Sequence, residues 1–141
     1  MNYIFPKVKL NGNGLFGPTS KANYYKPVSY HNKTAESNKH KTTWVLKQNE
    51  QYEAFRVCDE QEWLCIKNKG LFSILDKGDV IMGTNEERLS FFPKPINITD
   101  PYHGYPVDSS EYEPSVELVD TWLENEIIDN RIHIKILKGQ I

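Results

Sequence analysis

The sequence predicts an α+β fold: a small, mostly antiparallel β-meander or barrel with one C-terminal helix and a final strand. Three observations carry that expectation. Residues 42–92 break into short apolar and β-branched runs separated by turn residues, among them Lys69-Gly70 and Asp76-Lys77-Gly78-Asp79. Residues 114–127 place Val116, Val119, Leu123 and Ile127 at helical spacing. Residues 131–137 alternate, with Ile132, Ile134 and Ile136 on one side and Arg131, His133 and Lys135 on the other.

The elements follow in order. Residues 1–41 read as an irregular N-terminal segment. Within it Asn11-Gly12-Asn13-Gly14 is a hairpin-turn signal between Val8-Lys9-Leu10 and Leu15-Phe16. Residues 31–41 contain one apolar residue, Ala35, and read as an exposed loop. Residues 42–47 read as the first strand. Residues 52–58 alternate, placing Tyr52, Ala54, Arg56 and Cys58 opposite Glu53, Phe55 and Val57. In residues 62–67, Leu64 and Ile66 stand opposite Trp63 and Cys65. Strands are expected again over 71–75, 80–83 and 88–92. Residues 93–113 hold four prolines and no periodicity, so they read as a long loop, ordered by Tyr102, Tyr105 and Tyr112. In the helix, Pro114 suits the first turn, where its missing N–H costs nothing. Val119, Trp122 and Leu123 are expected to cover the sheet, and the closing strand to lie at its centre.

Length and composition bound the rest. At 141 residues the chain is the size of one domain. Its 12% aromatic content argues against a disordered chain. A net charge of −2 excludes a global basic field. Cys58 and Cys65 are too few for a disulfide scaffold. No apolar run spans a bilayer and residues 1–10 lack a leader's apolar core, so the reading is of a cytoplasmic protein without membrane contact.

Charge is unevenly spread. Residues 1–50 carry eight Lys against Glu36 and Glu50. Residues 95–130 carry nine acids and neither Lys nor Arg. Fourteen Lys against three Arg is a poor composition for bidentate phosphate recognition. The acidic block instead repels nucleic acid and attracts basic partners.

Metal, nucleotide and nucleophile motifs are absent from the sequence, and no cofactor or metal is expected. The most unusual stretch is residues 100–107, where His103 stands beside Gly104 between two tyrosines and two prolines. A titratable group on a rigid loop suits a binding or catalytic role, and equally a loop packed on a sheet. With the face of Arg131, His133 and Lys135 it forms a second constellation. Two histidines with Arg and Lys have the groups to cleave RNA without metal, by acid–base catalysis and phosphorane stabilisation.

The leading functional expectation is a small interaction protein of immunity, inhibitor or accessory-factor type, from a bacterial or phage conflict system. Tyr102, Tyr105 and Tyr112 would anchor the partner, and Asp108, Glu111, Glu117, Asp120 and Glu124 would steer a basic one. The alternative is a metal-independent, toxin-type ribonuclease using His103, Arg131, His133 and Lys135. A further alternative is a module for single-stranded nucleic acid or a small ligand. There Lys21, Tyr24, Tyr25 and Lys26, with Tyr30 and Lys33, would interleave rings and cations.

Overall fold

The computed structural model describes residues 3–27 and 43–141. Its elements are α1 (Gln48–Glu60), β1 (Leu64–Cys65), β2 (Gly70–Ser73), β3 (Leu89–Pro93), β4 (Tyr105–Val107), α2 (Val116–Glu124) and α3 (Asn130–Leu137), with a 3-10 turn at Asp76–Gly78. The four strands form one antiparallel sheet in the order β1-β2-β3-β4. The architecture is α+β. The sheet is open, so the barrel alternative is corrected.

Two expected strands are helices. The stretch 52–58 lies inside α1. In α1 as a whole, Gln, Glu, Ala and Arg, all good helix formers, supply most of the residues, and Val57 is the one β-branched residue. Its inner side is Gln51, Phe55 and Cys58, a helical spacing, joined by Ala54. The Lys47 amide donates to Glu50 Oε1 at 2.8 Å, which closes the first turn. The closing strand 131–137 is α3. Ile132 and Ile136 fit both a two-residue period and a four-residue one. The decision falls at the start, where Asp129 Oδ1 accepts the Ile132 amide at 2.9 Å as an N-cap. Ile132 and Ile136 are buried, whereas Ile134 faces solvent.

α2 is shorter than expected. Ser115 caps it by accepting the Leu118 amide at 3.3 Å, so Pro114 precedes the cap. Its buried stripe is Leu118, Val119 and Trp122, while Val116 is exposed and Leu123 half-buried. The expected strands at 42–47 and 80–83 reduce to one bridge between Trp44 and Gly83. β4 arises inside the expected loop 93–113. The turn at 11–14 forms, with Asn11 Oδ1 accepting the amides of Asn13 and Leu15 at 2.8 and 3.0 Å. The pairing beyond it is Phe16 with Tyr25, and Val8 and Leu10 stay exposed. The expected loop at 31–41 lies outside the described residues.

Aromatic rings fill both faces of the sheet. Phe92 meets Phe55 of α1 at 5.5 Å between centroids, with Tyr25 at 5.8 Å and Trp44 at 6.2 Å. Its neighbour Phe91 turns to the opposite face, against Phe72 at 4.9 Å and Tyr112 at 5.5 Å. Trp122 of α2 stands edge-on to Trp63 at 5.5 Å.

The N-terminal arm is pinned along α1 by carboxylates. Buried Asp59 accepts from Thr19 Oγ1 at 2.6 Å and from Asn23 Nδ2 at 3.0 Å. Glu53 accepts from the Tyr3 hydroxyl at 2.8 Å while Arg56 bridges Glu53 and Glu60. Asp59→Ala strands the buried Thr19 hydroxyl and the Asn23 amide together. A hydrogen bond to a charged group is worth about 1.5–3 kcal/mol, and the half-buried Asn23 bond adds little to the buried Thr19 one, so the variant is expected to lose roughly 2–3 kcal/mol in urea unfolding. Proteolysis of residues 3–27 should rise with it. A loss below about 0.5 kcal/mol would show that the arm is held by its rings alone.

Candidate functional site

The outward side of β1 and α2 forms a groove of about 540 Å³, walled by Glu62, Leu64, Ile66, Glu117, Leu118 and Thr121 among others. Its construction is local. Trp63 and Cys65 point into the core, so the two-residue period turns Leu64 and Ile66 outward. Ile66 is 81% exposed, Leu64 49%, and Val116 in the first turn of α2 56%. Leu64 and Ile66 are thus two exposed aliphatic side chains in the wall of one groove.

Acids surround these residues. Because α2 buries Leu118, Val119 and Trp122, it presents Glu117, Asp120 and Glu124 to solvent. Glu113 precedes it and Glu126 follows it, both exposed. Among the described residues, the side chains within ion-pair distance of this acidic set are Lys67, 4.0 Å from Glu113, and the His133 ring, 2.8 Å from Asp120. Glu62 at the groove wall is bonded to Lys21 Nζ at 2.6 Å, which holds its carboxyl below the usual range and raises the Lys21 ammonium.

The expected anchors behave differently from one another. Tyr105 and Tyr112 turn toward the sheet, their hydroxyls 3.2 Å apart and both rings against Phe91. Tyr102 packs on Phe55 at 4.9 Å, and burial pushes its hydroxyl up. All three are half-buried. Asp108 accepts from the Ser110 and Glu111 amides at 3.0 and 2.9 Å, holding a turn. Glu111 is exposed.

The four residues of the ribonuclease constellation do not share one wall. On a helix, Arg131 and Lys135 are one turn apart on the same face, and His133 lies on another. Arg131 and Lys135 line a second cleft of about 530 Å³ with Arg88, Asp79, Glu86 and Asp108, a mixture of signs rather than an anion site. His133 Nε2 instead meets Asp120 of α2. His103 is exposed just before β4, where Gly104 packs on Phe92 and its carbonyl accepts Trp44 Nε1 at 3.1 Å. Of the basic aromatic set, Tyr25 is fully buried, its hydroxyl donating to Gln51 Oε1 at 2.8 Å. It offers no ring to a base. Tyr24 is half-buried, Lys21 is paired with Glu62, and Lys26 is exposed. Tyr30 and Lys33 lie outside the described residues.

Cys58 and Cys65 are buried free thiols, and burial pushes the Cys58 thiol well up, away from reactivity. Among the described residues no group of three or more His, Cys, Asp or Glu gathers around a common point, and no helix is long and apolar enough to cross a membrane.

Leu64 and Ile66 are groove residues that sequence reasoning passed over. The alternation separating Leu64 and Ile66 from Trp63 and Cys65 was visible. Both sides of it are apolar, however, so the pattern carries no mark of which side faces out. Comparison with protein-family models, with curated proteins and with solved structures gave no match.

Proposed function

We propose that this chain is a non-catalytic interaction protein, of the immunity, inhibitor or accessory-factor type, that binds a basic protein partner through the β1–α2 face. The observation that supports this most is the exposed pair Leu64 and Ile66 in one groove with Glu62 and Glu117, with Glu113 just before α2 and Glu124 at its end also exposed. An apolar centre with a charged rim is the anatomy of a protein interface. The rim's sign selects a partner rich in Lys and Arg and speeds its approach.

The test is affinity capture from cells that express the protein, using the intact chain beside the Glu117→Lys/Glu124→Lys variant. Both positions are exposed helix surface, so folding should be unchanged. The expected result is one basic protein retained at low salt, with retention lowered about tenfold in the variant, equivalent to roughly 1.4 kcal/mol of binding. Equal retention by both forms would place the partner elsewhere.

A further inference from the structure

We propose that the partner is held by strand addition: an extended segment of it, alternating basic and apolar residues, pairs in parallel with the free edge of β1. This rests on the protein-partner reading above and supplies its geometry.

The backbone of β1 carries the argument. The Trp63 carbonyl accepts the Phe72 amide at 3.2 Å, and Cys65 stands opposite Gly70. Residues 63 and 65 therefore direct their backbone groups toward β2, and residue 64 directs its own outward. The Leu64 amide folds back onto the Glu62 carbonyl at 2.8 Å. The Leu64 carbonyl and the Ile66 amide remain, with no hydrogen-bond partner among the described residues. An acceptor at one residue and a donor two residues later is the pair that a parallel strand engages, by the amide and carbonyl of a single incoming residue.

The opposite edge of the sheet is treated differently. At its centre stands Pro106, which has no N–H to offer. Just before β4, the Tyr102 amide and carbonyl are occupied by Tyr24 and Lys26 of the N-terminal arm. One edge is thus closed by proline and a crossing segment, while the other ends in the Leu64–Ile66 pair.

The groove beside β1 suits such a segment. Its volume of about 540 Å³ has room for a few residues. Leu64, Ile66 and Leu118 offer apolar contact; Glu62 in the same wall is already paired with Lys21, while Glu117 has no ion-pair partner among the described residues and is left to meet a cationic side chain. An incoming strand has side chains on two sides, which matches alternating apolar and cationic residues.

The experiment uses the full chain, labelled with nitrogen-15. It is titrated with a capped heptapeptide of alternating lysine and valine, and with the glutamate–valine counterpart. The expected result is a downfield move of the Ile66 amide proton with the lysine peptide alone, and at least tenfold slower exchange of that proton. Ile66→Ala should still bind, whereas Ile66→Pro, which lacks the donor, should bind at least tenfold more weakly. Should Ile66→Pro fail to fold, exchange at Ile66 in the unsubstituted chain decides the matter. Shifts confined to residues 117–125, with Leu64–Ile66 unmoved, would overturn strand addition and leave the partner reading standing. Equal response to both peptides, or response to neither, would also overturn it.

Discussion

Trp122→Ala is expected to destabilise the protein by about 3–5 kcal/mol, the range for removing a large aromatic from a core. Trp122 is wholly buried and stands edge-on to Trp63, between α2 and the β1 side of the sheet. Its carbonyl also accepts the Ile127 amide at 2.8 Å, so the ring and the turn toward α3 are anchored at one residue. Its indole Nε1 is buried with no hydrogen-bond partner among the described residues. The ring is therefore held by packing alone, and Trp122→Phe should cost under about 1.5 kcal/mol, since it keeps much of the volume and removes the unpaired donor. Urea unfolding of the two variants checks both numbers. A Trp122→Ala loss below about 1 kcal/mol would mean that the ring contributes little to core packing.

Gly104→Ala should be nearly as damaging, although it adds a single methyl group. A Cβ at this position would lie 2.3 Å from Phe92 Cδ1 and 2.5 Å from the Phe91 carbonyl oxygen. Phe92 is fully buried among Phe55, Tyr25 and Trp44 and has no room to retreat. The Phe91 oxygen is strand backbone. Overpacking costs typically 1–3 kcal/mol, and this case belongs at or above the upper end because both obstacles are rigid. Gly70 plays the same part between β2 and β3, where a Cβ would meet the Phe91 ring and the Phe92 carbonyl at 2.7 Å. Thermal unfolding of Gly104→Ala should show a large drop in Tm. An unchanged Tm would mean that β4 shifts freely on Phe92.

Gly104 shows what the sequence made legible and what it hid. The segment 100–107 stands out by composition, and the reason lies in packing: a glycine opposite Phe92, with its carbonyl bonded to Trp44. β2, β3 and α2 were visible because each has a local signature, a Gly-bounded apolar run or three turns of one stripe. α1 and α3 were not. In 52–58, Ala and Arg stood where a strand face needs apolar residues, and the helical spacing of Gln51, Phe55 and Cys58 was the stronger signal. In 131–137 the two periods coincide at Ile132 and Ile136, and the Asp129 cap decides between them. That decision also separates His133 from Arg131 and Lys135, because residues two apart share a face on a strand and not on a helix. β4 stayed hidden because Pro106 argues against a strand, although proline is tolerated at a sheet edge. The acids of α2 were legible directly. The apolar residues beside them were not, since only the fold turns Leu64 and Ile66 outward.

Hydrogen exchange on the protein with its captured partner tests the central claim most directly. The account predicts slowed exchange at residues 61–67 and along 115–125, with the Ile66 amide among the most protected. Protection concentrated instead on residues 100–107, or around Arg131 and Lys135, with 61–67 unchanged, would contradict it.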